Sequence, residues 1–353
     1  MTAGDVLEIC LYVALGVAVA WAGTRGVWRL HGAWKIRRAG PRRLLATRHR
    51  LWREPSERDL IDLRYGPGGA EGVPVAPFTF IEEHLSGSQP CVAVHDARGR
   101  RWRVKWGHEA KPESFAVRLA WACGYFAEVT HYVARGRIDG CRELARARPC
   151  VDEAGAFTEA RFELEDRSVR MLFDEHSWAW NDNPFVGTPQ LAGLKIVVML
   201  LSNWDTKDRR DVSRGSNTAI FEHRLSRWSC EARYLITDWG GAMGKWGATL
   251  VSRDRWDVAG FEAQTASFVS GVNEDAWVLF GYQGQRTAEI GRDIAVEDVR
   301  WFVRYAGRIP EASLREALTT CGATAEEASR FAAALRARIE QLGTVCGDTI
   351  RAA

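Results

Sequence analysis

The apolar pattern of this chain changes period near its middle. From Phe78 the apolar positions alternate in short runs separated by turn clusters. FTFIEEHL (78–85) is followed by the turn cluster SGSQP. CVAVHDARGRRWRVKWG then reads as strand, turn and strand: Val92 and Val94 alternate with their neighbours, Asp96–Gly99 supplies the turn, and Trp102 and Val104 begin the return. A helix is predicted next, with Pro112 near its start, Glu113 in its first turn, Phe115, Leu119, Trp121 and Ala122 apolar, and Gly124 as its stop. Strand-like THYVARG and ARFEL flank a polar insert around 137–159. A strongly apolar helix, QLAGLKIVVMLLSNW, runs into the polar loop DTKDRRDVSRGSN, and the short strands TAIFE and RYLITDW follow. From about Val296 the period becomes helical in three blocks: VEDVRWFVRYAG, EASLREALTTCG and TAEEASRFAAALRARIEQLG. A Gly/Pro-rich stretch, Pro55–Pro77, precedes all of this and reads as loop. The order is a β-rich first half and a helix-rich second half, with no internal repeat.

The first 53 residues break this pattern. Ile9–Gly23 is fifteen residues without a charge, with Glu8 just before it. That is short of the roughly 20 residues a membrane span needs. A transmembrane anchor, a cleaved signal peptide and a buried or interfacial helix all fit its apolarity, but a signal peptide would put its cations before the run. Here they come after it: ten Lys/Arg and no acid lie between Gly23 and Arg53. The whole chain of 353 residues is +3, from 48 basic and 45 acidic side chains; without the ten, 38 face 45, a net −7. The chain is therefore a mildly acidic body on a basic neck. The expectation is an anchor at 1–24, a basic juxtamembrane linker at 25–57 and a cytoplasmic body, because cations stay on the cytoplasmic side. The neck, with Trp28, Trp34 and Trp52 among its arginines, would meet an anionic membrane surface through residues 25–53; a nucleic-acid-binding arm is the competing reading, and no nucleic acid is expected. Export to the periplasm is the alternative localisation.

Composition excludes disorder and collagen-like repeats: 46% of residues are hydrophobic and 26% charged. Eight cysteines form no CxxC pair and no zinc-like Cys/His spacing, and read as free thiols in a reducing compartment. His84, His95, His108 and His131 are dispersed. Trp178, Trp180 and Trp204 suit either a cleft or a core. No G-x-S-x-G, H-E-x-x-H or G-x-x-x-x-G-K-[ST] occurs.

Four pieces carry candidate chemistry. Ser86-Gly87-Ser88 is a turn between two strands that can set backbone N–H groups against phosphates. Lys105 stands near the end of an apolar strand, with Glu109 and Glu113 close behind as possible ion-pair partners. Asn203-x-Asp205-x-Lys207 follows the apolar helix, with Asn217 twelve residues after Asp205. A carboxylate and a carboxamide around one loop suit a base beside a hydroxyl and a ligand for Mg²⁺; Lys207 would neutralise a transferring phosphoryl group. Thr237-Asp238-Trp239-Gly240 puts an Asp at a strand end before a Gly-rich turn.

In this order the pieces resemble the protein-kinase-like fold. The N-x-D-x-K loop is similar to that of HipA-type and phosphatidylinositol-kinase-type members, TDWG stands where kinases carry DFG, and the chain resembles uncharacterised bacterial proteins of this kind, some of them lipoprotein-like, which is the ground for the export alternative. The resemblance covers about 78–247. It implies an α+β, two-lobed kinase-like fold, with a β-rich N-lobe at 58–165 and a helix-rich C-lobe at 166–353. It implies ATP and Mg²⁺ as cofactors. Lys105, held by Glu113, would contact the α/β-phosphates under Ser86–Ser88; Asp205 would be the base, helped by Lys207; Asn217 and Asp238 would bind Mg²⁺. The implied function is a membrane-anchored phosphotransferase acting on an unidentified hydroxyl, and the alternative is a catalytically inactive, nucleotide- or partner-binding scaffold. The chain departs from the family in having no G-x-G-x-x-G, a longer Asp-to-Asn step, Trp after the metal Asp and no A-P-E. Asp208 and Asp211 are alternatives to Asp205 if the loop folds differently.

Overall fold

The computed structural model describes residues 48–166, 169–171, 177–247, 249, 251–284 and 290–347. Five strands form a closed barrel: β2 (Phe78–His84), β3 (Cys91–His95), β4 (Arg101–Trp106), β5 (Thr130–Asp139) and β6 (Ala156–Leu164), in the order β2-β3-β4-β6-β5. Neighbours pair antiparallel except at the seam, where Phe78 and Thr79 run parallel to Ile138 and Asp139. The alternation in RWRVKW sends Trp102, Val104 and Trp106 into the barrel, where they meet Phe78, Phe157 and Phe162. The same alternation leaves Arg101, Arg103 and Lys105 on the outer face.

The second half is built around α3 (Pro189–Leu200). Thr188 caps it by accepting from Leu191 N, Pro189 opens it, and every side chain from Leu191 to Leu200 is buried. Around it lie α2 (Ala110–Ala122), which connects β4 to β5, and the short α4 (Val258–Ala263). The C-terminal helices α5 (Val296–Ala306), α6 (Glu311–Thr320) and α7 (Ala325–Val345) complete the layer. A short α1 (Glu57–Ile61) lies inside the stretch read as loop. A second sheet, in the order β1-β9-β8-β7, comprises β1 (Arg48–Arg50), β7 (Val169–Met171), β8 (Thr218–Ser226) and β9 (Ser229–Ile236); β10 (Val269–Val272) and β11 (Val278–Phe280) make a separate hairpin.

Two expectations are corrected here. The architecture is α+β with seven α-helices among the described residues and a closed five-stranded barrel, and not the two-lobed kinase-like fold that the motif order implied, with the membrane helix expected from the apolar run. Closure at the β2–β5 seam is the physical difference: it turns what would be an open sheet into a barrel filled by aromatic rings. Second, among the described residues no helix is long and apolar enough to cross a membrane, so a single-pass membrane protein is not supported, and with it goes the predicted cytoplasmic or exported placement of a tethered body. The segment at 1–24 that prompted the reading, with most of the basic stretch, lies outside the described residues. The end of that stretch packs against the body. Arg48–Arg50 is an edge strand parallel to β9, Arg50 pairs with Glu231 at 3.2 Å, and His49 Nδ1 lies 2.9 Å from the Tyr234 hydroxyl. Trp52 packs edge-on to Trp301 and Tyr305, and Arg53 lies over Trp121 while pairing with Asp59 at 2.9 Å. Two of the neck's cations are thus consumed within the body.

Candidate active site

The strand alternation that fills the barrel also builds its charged outer wall. Across the β4–β6 register, Lys105 lies opposite Arg161 and Arg103 opposite Glu163. Two like charges face each other, so the acids must come from diagonal and helical neighbours. Glu163 takes Lys105 at 3.2 Å and also pairs with Arg103 and Arg161. Glu113, in the first turn of α2, pairs with Arg161. The expected Lys105–Glu113 pair is therefore replaced: the helix carboxylate holds Arg161, and Lys105 rests on Glu163. Glu109 is drawn away to Arg255, at 2.5 Å.

Burial drives the ionisation here. Desolvation, then the neighbouring cations Arg161 and Arg103, bring the Lys105 ammonium down to about 8. Glu163, shared among three cations, does not offset them. Arg161 is fully enclosed and falls to about 10 through desolvation, with Asp238 and Glu109 opposing. Lys105 and Arg161 line a cavity of about 370 Å³ with Ser86, Gly87, Ser88, Glu113 and Asp238. Gly87, at φ +103°, has open space where a Cβ would stand, so the turn leaves the cavity mouth clear.

The acidic side of the site hangs from the end of α3. Ser202 at φ +54° turns the chain out of the helix. Arg338, buried in α7, donates to Leu200 O at 2.9 Å and Ser202 Oγ at 2.8 Å, and the Tyr282 hydroxyl donates to Asn203 O. Asn203 Nδ2 then reaches Asp238 O at 3.2 Å, and Asn217 Nδ2 reaches Asp205 O at 2.8 Å. Thr237 N donates to Asn217 O at 2.8 Å. Gly241 permits the approach, since a Cβ there would stand 2.9 Å from Asn203 Oδ1 and 3.2 Å from Asp205 N. The two loops are thus laced together by main chain, and Asp205, Asn217 and Asp238 converge.

Asp205 is raised above the ordinary aspartate value, first by burial and also by Asp238; Lys207, 3.3 Å away, opposes this. Its Oδ1 is buried without a hydrogen-bond partner. Asp208 is no substitute, because it accepts from Arg210 Nε at 2.8 Å and from Trp180 N at 3.3 Å. Among the described residues no group of three or more His, Cys, Asp or Glu side chains could hold a metal. Asp238 and Asn217 carry the type of oxygen that Mg²⁺ takes together with phosphates and water.

A second cavity, of about 560 Å³, adjoins the first, sharing Arg103 and Glu165 with it. Its lining includes Phe126, Val129, Leu164, Phe221 and Leu235. The second cavity thus offers apolar contacts beside a pocket lined by both acids and cations. Glu128, also at this wall, is raised by burial against the pull of Arg103 and Lys105.

Sequence reasoning missed Arg161 and Glu163. Their signal was present: both lie on one face of ARFEL, the same period-2 face that Arg103 and Lys105 occupy on the adjoining strand. Of the tryptophans, Trp178 and Trp180 sit in the core, their rings 4.9 Å apart; Trp204 stands at the site. The seven described cysteines are all free. No known protein family matches the chain, and neither a curated protein nor a solved structure matches it.

Proposed function

We propose that this cleft belongs to a phosphotransferase that takes a nucleoside triphosphate with Mg²⁺ and passes its γ-phosphoryl group to a hydroxyl. The observation that carries this reading is the convergence of Lys105, Arg161 and Asp238 on one cavity, with Asp205 and Asn217 laced to the Asp238 turn. The base and sugar would occupy the adjoining apolar room, and the phosphates would lie along Lys105 and Arg161. A triphosphate would take these two desolvated cations in place of Glu163 and Glu113, which hold them now. Asp238 and Asn217 would hold the metal, which neutralises charge on the β- and γ-oxygens. Asp205, buried and raised, would accept the hydroxyl proton, with Lys207 across it balancing charge at the acceptor side.

The test uses the full chain. Melting temperature should rise with ATP and Mg²⁺, and the rise should vanish in Asp238→Asn. Asp205→Asn should retain binding yet lose ADP formation. Binding that survives with no ADP formed by the wild type leaves a nucleotide-binding scaffold. No shift up to about 1 mM ATP, the top of the usual KM range, ends both readings.

A further inference from the structure

The loop after the Asp238 turn carries two arginines that the proposed transfer does not use. Both lie over the indole of Trp204: the Arg253 guanidinium at 4.2 Å from the ring centroid and that of Arg255 at 5.2 Å. Trp204 is itself fixed, its Nε1 donating to Asp254 O at 2.9 Å, and it directly precedes Asp205. Arg255 is satisfied by Glu109. Arg253 is not: it makes no ion pair among the described residues, and its buried Nε has no hydrogen-bond partner. The charges that act on it are Asp205, which attracts it, and Arg255, which repels it. A guanidinium is therefore held on a ring beside Asp205 without an ion-pair partner among the described residues.

We propose that Arg253, supported by Arg255, is the anion subsite for the acceptor, so that the hydroxyl compound phosphorylated here is itself a phosphate monoester of a small alcohol. The guanidinium fork matches phosphate oxygens two at a time. Arg255 opens on a cavity of about 900 Å³ that includes Trp106, His108, Lys111 and Asp254, and that shares Gln89 with the Lys105 cavity. On this proposal the acceptor's phosphate meets Arg253 and its hydroxyl meets Asp205. The hydroxyl oxygen then bonds to the γ-phosphorus as the bond to the bridging oxygen breaks, the proton passes to Asp205, and the electron pair leaves with the nucleoside diphosphate. A neutral alcohol leaves Arg253 unpaired and is rejected for that reason. The fate of the hydroxyl rests on the transfer reading; the capture of the anion does not.

The test is calorimetry on the full chain, first with inorganic phosphate and no nucleotide. Arg253→Gln, melting as the wild type does, should weaken phosphate by at least about tenfold, and Arg253→Lys by less. Lys105→Met should leave phosphate binding in place. Glycerol 3-phosphate should displace phosphate and glycerol should not. Mg²⁺ with ATP should bind the wild type and Arg253→Gln alike. Phosphate binding unchanged in Arg253→Gln, or lost in Lys105→Met instead, overturns the subsite. Displacement by glycerol as effective as by glycerol 3-phosphate overturns its selectivity. Arg253-dependent phosphate binding in a chain that ignores ATP keeps the subsite and ends the transfer reading.

Discussion

Lys105 gives the most direct measurement of whether the cleft is poised for an anion. Its ammonium is held at about 8 against an ordinary 10.5, first by desolvation and then by Arg161 and Arg103. The sign follows from proton counting. Between pH 8 and 10.5 the unfolded lysine still binds its proton while the folded one has released it, so stability rises with pH across that window. Below pH 8 both states are protonated and the penalty on the folded state is fully present. A shift of this size is worth about 3 kcal/mol at most, and partial exposure of the ammonium brings it to about 2. Lys105→Met removes the titration and leaves every other group in place. The assay is urea unfolding of both proteins from pH 7 to 10.5. The difference in unfolding free energy should be flat up to about pH 8, then move toward the wild type by about 2 kcal/mol by pH 10.5. A difference independent of pH over that range would show that Lys105 is not a desolvated cation among cations, and the electrostatic ground for placing phosphates beside it would go.

Other expectations test the walls of the site separately. Because Asp205 is raised by burial and by Asp238, turnover should fall on the acid side at a pH above the ordinary aspartate range. Lys207→Met should move that limb higher still, and an unmoved limb would separate Lys207 from the base. Phe162, fully buried with its ring 4.7 Å from that of Phe78, holds the barrel together: Phe162→Ala should cost about 3–5 kcal/mol in denaturant unfolding, and a cost under 1 would mean that the barrel interior is not close-packed. Arg338→Met strips partners from Leu200 O, Ser202 Oγ and Phe261 O. It should lower stability by about 3 kcal/mol and blunt the response to ATP; intact nucleotide binding would show that the Asp205 loop does not depend on it.

Much of this architecture was written locally. The strands from Phe78 to Trp106, the apolar helix before Asn203 and the three terminal helices announce themselves by period, since each buries one face or, in α3, the whole surface. The residues around Asp205 and Asp238 could be grouped because each ends an apolar element, and such ends are where polar side chains meet at an opening. What could not be read was partnership across distant segments. Lys105 and Glu113 are eight residues apart and plausible mates, yet the β4–β6 register interposes Arg161, whose full burial demands the helix carboxylate first. Register between residues 56 positions apart has no local signature. Barrel closure escaped for the same reason, because it rests on two residue pairs at the seam.

The basic neck shows where a composition argument is coarse. Ten cations without an acid read as one surface, and the charge of the run predicts a single anionic partner for all of them. Yet Arg50 and Arg53 find Glu231 and Asp59 within the fold, 181 and 6 residues away, while Trp52 joins an aromatic cluster with α5. A cation near a strand edge is attracted to whichever carboxylate the fold brings close, whatever its neighbours in sequence do. The −7 body is thus partly neutralised by its own neck. The same principle, applied at the cleft, explains why Arg253 stands out: in a chain where nearly every buried guanidinium has found a carboxylate or a carbonyl, a ring-stacked arginine beside Asp205 with an orphaned Nε is the charge the fold has left for something else to satisfy.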